Sequence, residues 1–147
     1  MIELADALRA EVERVSARFR SWAEADVSRE RGAGKWVKKE ILGHLIDSAA
    51  NNHHRFVRAQ LTSPLSLPGY DQEAWVLLHR YRGRPWTELV DLWVALNRQV
   101  AAVIEFVPAE KLQTPCLIGD QEPKPLEWWM RDYLRHLKHH LEQIEGS

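Results

Sequence analysis

Apolar residues recur at three- and four-residue spacing in four long segments of the chain, a pattern that is typical of amphipathic helices. The first segment runs from about Ile2 to Ala25, and the second runs from near Trp36 to about Leu61. The third begins at Pro85, a residue favoured in a first helical turn, and ends before Pro108. The fourth follows Pro125 and reaches nearly to the carboxyl end.

No segment alternates with period two over a useful length, and the chain contains no internal repeat. Four long helices and almost no strand predict an all-α four-helix bundle. The connection between the second and third helices, from Thr62 to Arg84, is longer than a tight turn requires and too apolar for a free linker. We therefore predict an ordered crossover, with a short helix near Gln72 to Tyr81, that forms one wall of a pocket.

Length and composition narrow the classes of protein further. The 147 residues fit a single domain, residues 1–147. A net charge of -1 with mixed acidic and basic positions gives no long-range attraction to nucleic acid or anionic membranes, so we expect neither as a partner. The single cysteine suits a reducing compartment, and we find no signal-peptide pattern and no apolar run near the ~20 residues of a membrane span. We expect a cytoplasmic protein.

Three histidines that are far apart in sequence form the main candidate site. On a helical wheel of about 100° per residue, His44 lies in a polar stripe that borders the apolar face of the second helix. His136 and His140 lie one turn apart at the edge of the apolar face of the fourth helix. Burial of ionisable groups is costly unless they are paired or bind a metal. One shared divalent-metal site would explain why histidines border the apolar faces of both helices. The alternative is that these histidines are hydrogen-bonded structural residues, and we assign no role to His53, His54 or His79.

The segments around these histidines resemble the DinB/YfiT-like superfamily. The resemblance is carried by Trp36-x3-Glu40-x3-His44-Leu-x-Asp47 and by His136-x3-His140-x2-Gln143, and it is supported by Leu67-Pro-Gly-Tyr70. These elements occur in the family's order across nearly the whole chain. The resemblance implies a four-helix bundle with a long crossover, and a divalent metal held by His44, His136 and His140.

Proteins of this superfamily include metal-dependent hydrolases, S-transferases that use low-molecular-weight thiols, a thiol-dependent isomerase and stress-induced members. The hypothesis that we favour is a metal site that activates water for hydrolysis of a small-molecule substrate. One alternative is a thiol S-transferase with a low-molecular-weight thiol as cofactor. Another is a non-catalytic, stress-related dimer, because the chain contains seven tryptophans that could leave an apolar face. For each of these three hypotheses we expect the protein to form a homodimer.

The remaining polar residues near the histidines suggest supporting roles. We expect Asp47 or Glu40 to orient His44 or to act as general base. The alternative for Asp47 is a salt bridge with Arg55 or with a basic residue on a neighbouring helix. Asn51, Trp129 and Gln143 are expected to line the pocket or support the ligands. Histidine ligands alone do not select the metal; we expect zinc or nickel, with iron or manganese as alternatives.

Overall fold

The computed structural model describes all 147 residues, Met1–Ser147, and it confirms the predicted four-helix bundle. The long helices and two short ones are α1 Ile2–Arg20, α2 Glu24–Val27, α3 Lys38–Leu61, α4 Gln72–His79, α5 Trp86–Glu105 and α6 Leu126–Glu145. Helix α5 packs between α1 and α3, and α6 packs on α3 beside α1. No helix combines the length and the apolar character that crossing a lipid bilayer requires.

The first long helix ends earlier than the sequence predicts, and the second long helix begins later. Helix α1 stops at Arg20 because the chain turns to stack Trp22 on Trp86, with ring centroids 6.1 Å apart. Residues 24–27 then form the separate one-turn helix α2. Helix α3 begins at Lys38, two residues after Trp36, because the Glu40 carboxylate accepts a hydrogen bond from the backbone N–H of Val37 at 2.9 Å. This contact satisfies one of the donors that a helix amino terminus leaves free.

The predicted crossover is ordered and contains the predicted short helix, α4, followed by a 3-10 turn at Tyr81–Gly83. It also carries β1 (Leu65–Leu67), which pairs in parallel with β2 (Pro115–Ile118); β2 pairs in antiparallel with β3 (Lys124–Pro125). Strands of two to four residues are too short to give a period-two pattern, so the sequence does not reveal this sheet. The sheet ties the crossover to the connection between α5 and α6.

Two glycines, Gly69 and Gly119, continue the contact between the crossover and the α5–α6 connection beyond the strands. The backbone N–H of Gly119 donates to Leu67 at 2.9 Å, and the residue has a φ of 58°, where glycine is favoured. A Cβ atom at Gly119 would lie 3.4 Å from the backbone nitrogen of Gly69. The two backbones therefore approach closely at this point, and they fix the crossover beside the α5–α6 connection.

Candidate metal centre

Three imidazole rings converge between α3 and α6, as the sequence predicts. The Nε2 atom of His136 lies 3.1 Å from Nε2 of His44 and 3.1 Å from Nε2 of His140. One nitrogen from each ring lies within 4.8 Å of the other two. Because α6 packs directly on α3, residues that are 92 positions apart in the sequence meet side by side.

All three rings are uncharged near neutral pH. Burial is the main cause, and it acts most strongly on His44, whose pKa falls to about 3. Burial also lowers the pKa of His136 to about 4, and it lowers the pKa of His140. The neighbouring imidazoles lower the pKa of each ring further, since protonated rings would repel one another. Each neutral ring offers a lone pair, which is the form that binds a metal.

Gln143 determines which nitrogen of His140 faces the cluster. The Nδ1–H group of His140 donates to the side-chain oxygen of Gln143 at 2.8 Å, so the proton resides on Nδ1 and the lone pair on Nε2 points inward. A single proton on Nε2 of His136 can point at only one of its two neighbours. At least one of the two close contacts therefore lacks a hydrogen bond, and a cation at the centre would satisfy all three lone pairs.

The spacing of the nitrogens fits a transition metal. Nitrogen ligands at about 2.0–2.1 Å from an ion lie about 2.8–3.4 Å apart when they subtend angles between octahedral and tetrahedral values. The two separations of 3.1 Å fall within that interval. Two of the three separations therefore suit a divalent ion, and the third pair of nitrogens lies within 4.8 Å. The Nδ1 atoms of His44 and His136 are buried without a hydrogen-bond partner.

The two acidic residues predicted to support His44 lie elsewhere. Asp47 is 2% exposed and accepts a hydrogen bond from the Tyr81 hydroxyl at 2.6 Å; it also contacts Nδ1 of His79 at 3.0 Å. It forms no ion pair with Arg55. A residue three positions after His44 is rotated by about 60° around the helix, which turns Asp47 toward the crossover rather than toward α6.

Glu40 is equally engaged away from the cluster. One carboxylate oxygen caps the start of α3 through Val37, and the other pairs with Nε of Arg82 at 2.9 Å. The structure thus gives Glu40 a capping role and gives Asp47 the role of holding the crossover. His79, which the sequence reasoning set aside, is a partner of Asp47, and no sequence spacing links these two residues.

A cleft of about 570 Å³ opens beside the histidines and includes His44 and His136 in its wall. Helix α3 contributes Ser48, Asn52 and Arg55, and α6 contributes Trp129, Asp132 and Tyr133. The crossover and the β2–β3 turn supply the remaining walls, which include the two glycines that approach each other. The crossover therefore forms a wall of the cleft, as the sequence predicts.

Two of the three residues predicted to line the pocket or to support the ligands lie at the site, and the third does not. Trp129 lines the cleft, and Gln143 contacts His140, as expected. Asn51 lies outside the cleft, where its amide group donates to the backbone oxygen of Asp47 at 2.9 Å, and Asn52 takes the predicted place in the wall. On a helical wheel Asn52 lies about 80° from His44, on the same side as Ser48, whereas Asn51 lies about 20° from His44 on the opposite side, so angular distance from His44 does not identify Asn52.

Replacement of Gln143 by leucine is expected to weaken the binding of a divalent ion by about 10- to 100-fold, the usual cost of losing a hydrogen bond that orients a metal-binding histidine. The side chain is exposed, so the fold should be unaffected. Competition with a chromophoric chelator measures the affinity. Glu142→Leu places the same side chain on the adjacent exposed position and should leave the affinity unchanged. Equal affinities in the two variants would contradict the orienting role of Gln143.

Comparison with known proteins gives a family and a fold. The sequence matches the model of the DinB superfamily over residues 7–144. The structure superposes on that of YfiT from Bacillus subtilis with a TM-score of 0.83, at 19% identity, and the match covers 99% of this chain and 82% of that chain. YfiT is described as "a probable metal-dependent hydrolase with an unusual four-helix bundle topology". No curated protein matches the chain. At this identity the likeness to YfiT establishes the fold.

Proposed function

Since the chain belongs to the DinB superfamily, we propose that it is a metal-dependent hydrolase that acts on a small-molecule substrate. The observation that carries this proposal is the convergence of three neutral imidazoles, two of which, His44 and His136, line a cleft. The description of YfiT, which has the same fold, as a "probable metal-dependent hydrolase" supports it.

In this proposal His44, His136 and His140 hold the ion. When a divalent ion is bound there, the chemistry supplied is a lowered pKa of coordinated water and polarisation of a substrate carbonyl. The protein contributes three neutral ligands, and three ligands leave positions open for water and substrate. Gln143 holds the ring of His140 in the orientation that this requires. The cleft provides room for a substrate beside the histidines.

Asp132 is the acidic residue best placed to accept a proton. It lines the cleft on α6 one turn before His136, and it is the one carboxylate whose charge opposes the lowering of the pKa of His136. Its carboxylate also pairs with the guanidinium of Arg135 on the next turn. The cysteine of the chain, Cys116, takes no part, because burial raises the pKa of its thiol to about 11.

The proposal predicts that purified protein contains about one equivalent of a divalent ion and hydrolyses a member of a panel of small esters and amides. Chelation should remove both the metal and the hydrolysis, and addition of the metal should restore both. Asp132→Asn should retain the metal and lower the turnover number by about 10²- to 10⁴-fold, the usual contribution of a general base.

The matched control is Glu127→Gln, which removes a carboxylate from the first turn of the same helix and should leave turnover unchanged. Metal content is measured by elemental analysis and hydrolysis by product formation. A protein that takes up no divalent ion, or hydrolysis that survives removal of the metal, would refute the proposal.

A further inference from the structure

Arg55 is a cation in the wall of the cleft that lacks an acidic partner. Its guanidinium lies between two aromatic rings, 5.8 Å from the centroid of Tyr70 and 5.7 Å from that of Trp129. Its one hydrogen bond to a side chain, to Asn52, is long at 3.5 Å. No carboxylate lies within ion-pairing distance, although most arginines of this protein have one, including Arg82, which pairs with both Glu30 and Glu40.

The surroundings of Arg55 make this lack of a partner costly. The residue is half-buried, and burial lowers the pKa of the guanidinium, which still remains charged near neutral pH. The stacking rings stabilise the cation but supply no hydrogen-bond acceptor for its donors. Trp129 is 7% exposed, and its indole N–H also has no acceptor. A guanidinium without a carboxylate partner and an indole N–H without an acceptor therefore lie in one part of the cleft.

We propose that Arg55 is the substrate-binding residue of this cleft and that it holds a carboxylate group of the substrate. A carboxylate matches the planar fork of the guanidinium with two parallel hydrogen bonds, and it would also supply an acceptor near the indole of Trp129. The inference rests on the proposed function, since it assigns the substrate of the same site to the class of small carboxylic acids.

The charges of the cleft favour a carboxylate over a phosphate group. The lining contains one cationic side chain, Arg55, together with the carboxylates of Asp71, Asp120 and Asp132. Asp71 and Asp120 are exposed, while Asp132 pairs with Arg135. A phosphate dianion would meet more repulsion from these acids than a monoanion would, and a single guanidinium would neutralise only half of its charge.

The distance along α3 limits the size of the substrate. His44 and Arg55 are eleven residues apart and lie on the same face of the helix, which corresponds to an axial distance of about 16 Å. The arginine side chain leans toward the amino terminus of the helix and shortens this span. The carboxylate of the substrate must therefore be separated from the bond that is hydrolysed by several intervening atoms, as in an N-acylated peptide or an extended ester of a carboxylic acid.

The test uses propionate as the probe and follows the indole signal of Trp129 and the Nε–H signal of Arg55 by NMR in the full-length protein. Propionate should shift both signals in a saturable manner, whereas propionamide, which has the same shape without the charge, should not. Arg55→Gln should weaken propionate binding by about tenfold or more, because it removes a charged bidentate partner. Arg58→Gln changes an exposed arginine on the next turn of α3 and should bind propionate like the wild type.

Three outcomes would overturn the inference. The first is the absence of a saturable shift with propionate, and the second is a shift that persists in Arg55→Gln. The third is tighter binding of inorganic phosphate than of propionate, which would assign the residue to a phosphate-bearing ligand. A retained fold of Arg55→Gln is verified by its unfolding temperature and by its metal affinity, both of which should match those of Arg58→Gln.

The same experiment separates this inference from the proposed function. The variant His44→Ala disrupts the metal site but leaves Arg55 in place, so it should bind propionate as the wild type does. Loss of propionate binding in His44→Ala would mean that the probe binds at the histidines, and the role of Arg55 would be rejected. Normal binding at Arg55 in a protein that takes up no metal would reject the hydrolase proposal alone.

Discussion

Replacement of His136 by alanine is expected to abolish the binding of a divalent ion, from about one equivalent per chain to a level close to zero. The Nε2 atom of His136 contacts both other imidazoles, so its removal leaves His44 and His140 without the nitrogen between them. Two histidines in a half-buried position bind a divalent ion far more weakly than three. Elemental analysis after dialysis measures the metal content, and calorimetric titration measures the residual affinity.

The chain offers a matched control on the same helix. His139 is exposed, and its Nε2 atom contacts only Gln143, at 3.3 Å. His139→Ala removes the same number of atoms and should retain the full metal content. Circular dichroism should show the same helix content in both variants. Full metal content in His136→Ala, or equal losses in the two variants, would mean that the ion binds elsewhere.

Replacement of Gly43 by alanine is expected to destabilise the fold by about 3 kcal/mol, at the upper end of the usual cost of overpacking a core. A Cβ atom at Gly43 would lie 2.0 Å from Cδ2 of Tyr81, and the tyrosine is only 2% exposed. The ring cannot move freely, because its hydroxyl donates to the buried carboxylate of Asp47. Displacement of the ring would leave that carboxylate with fewer donors, which adds to the cost.

Gly83→Ala is the appropriate control, since a Cβ atom at that position would contact nothing within 4 Å. Urea denaturation with a common slope gives the free energy of unfolding of each variant. Gly83→Ala should remain within about 0.5 kcal/mol of the wild type, as expected for a surface substitution. If Gly43→Ala unfolds at the same urea concentration as the control, the close packing of Tyr81 on α3 is not a constraint on this fold.

The periodicity of apolar residues predicted the bundle because four long helices each bury one face, and that pattern is local. It failed at the end of the first helix, where the stacking of Trp22 on Trp86 turns the chain. That contact joins residues 64 positions apart, and no local pattern records it. The sequence did not predict the sheet for a related reason. Its longest strand, β2, has only four residues, and the two strands that pair with β2 come from two separate loops.

At the candidate site, too, local spacing predicted some features, and those that depend on contacts between distant residues were not predicted. The one-turn spacing of His136 and His140, together with the family resemblance carried by the motif around His44, predicted the convergence of the three rings. The helical wheel does not determine which element packs against each side of α3, so it left open whether Asp47 supports His44 or pairs with a basic residue. The structure places Asp47 against Tyr81 and His79. The same ambiguity of about one residue led to Asn51 instead of Asn52.

The separation of the histidines along the chain couples the proposed site to folding. His44 and His136 are 92 positions apart, so an unfolded chain scatters the ligands and has no comparable affinity for the ion. Mass action then stabilises the native state by about 4 kcal/mol when the free ion exceeds its dissociation constant a thousandfold. The melting temperature of this bundle would consequently rise and fall with the supply of its cation, even with no substrate present.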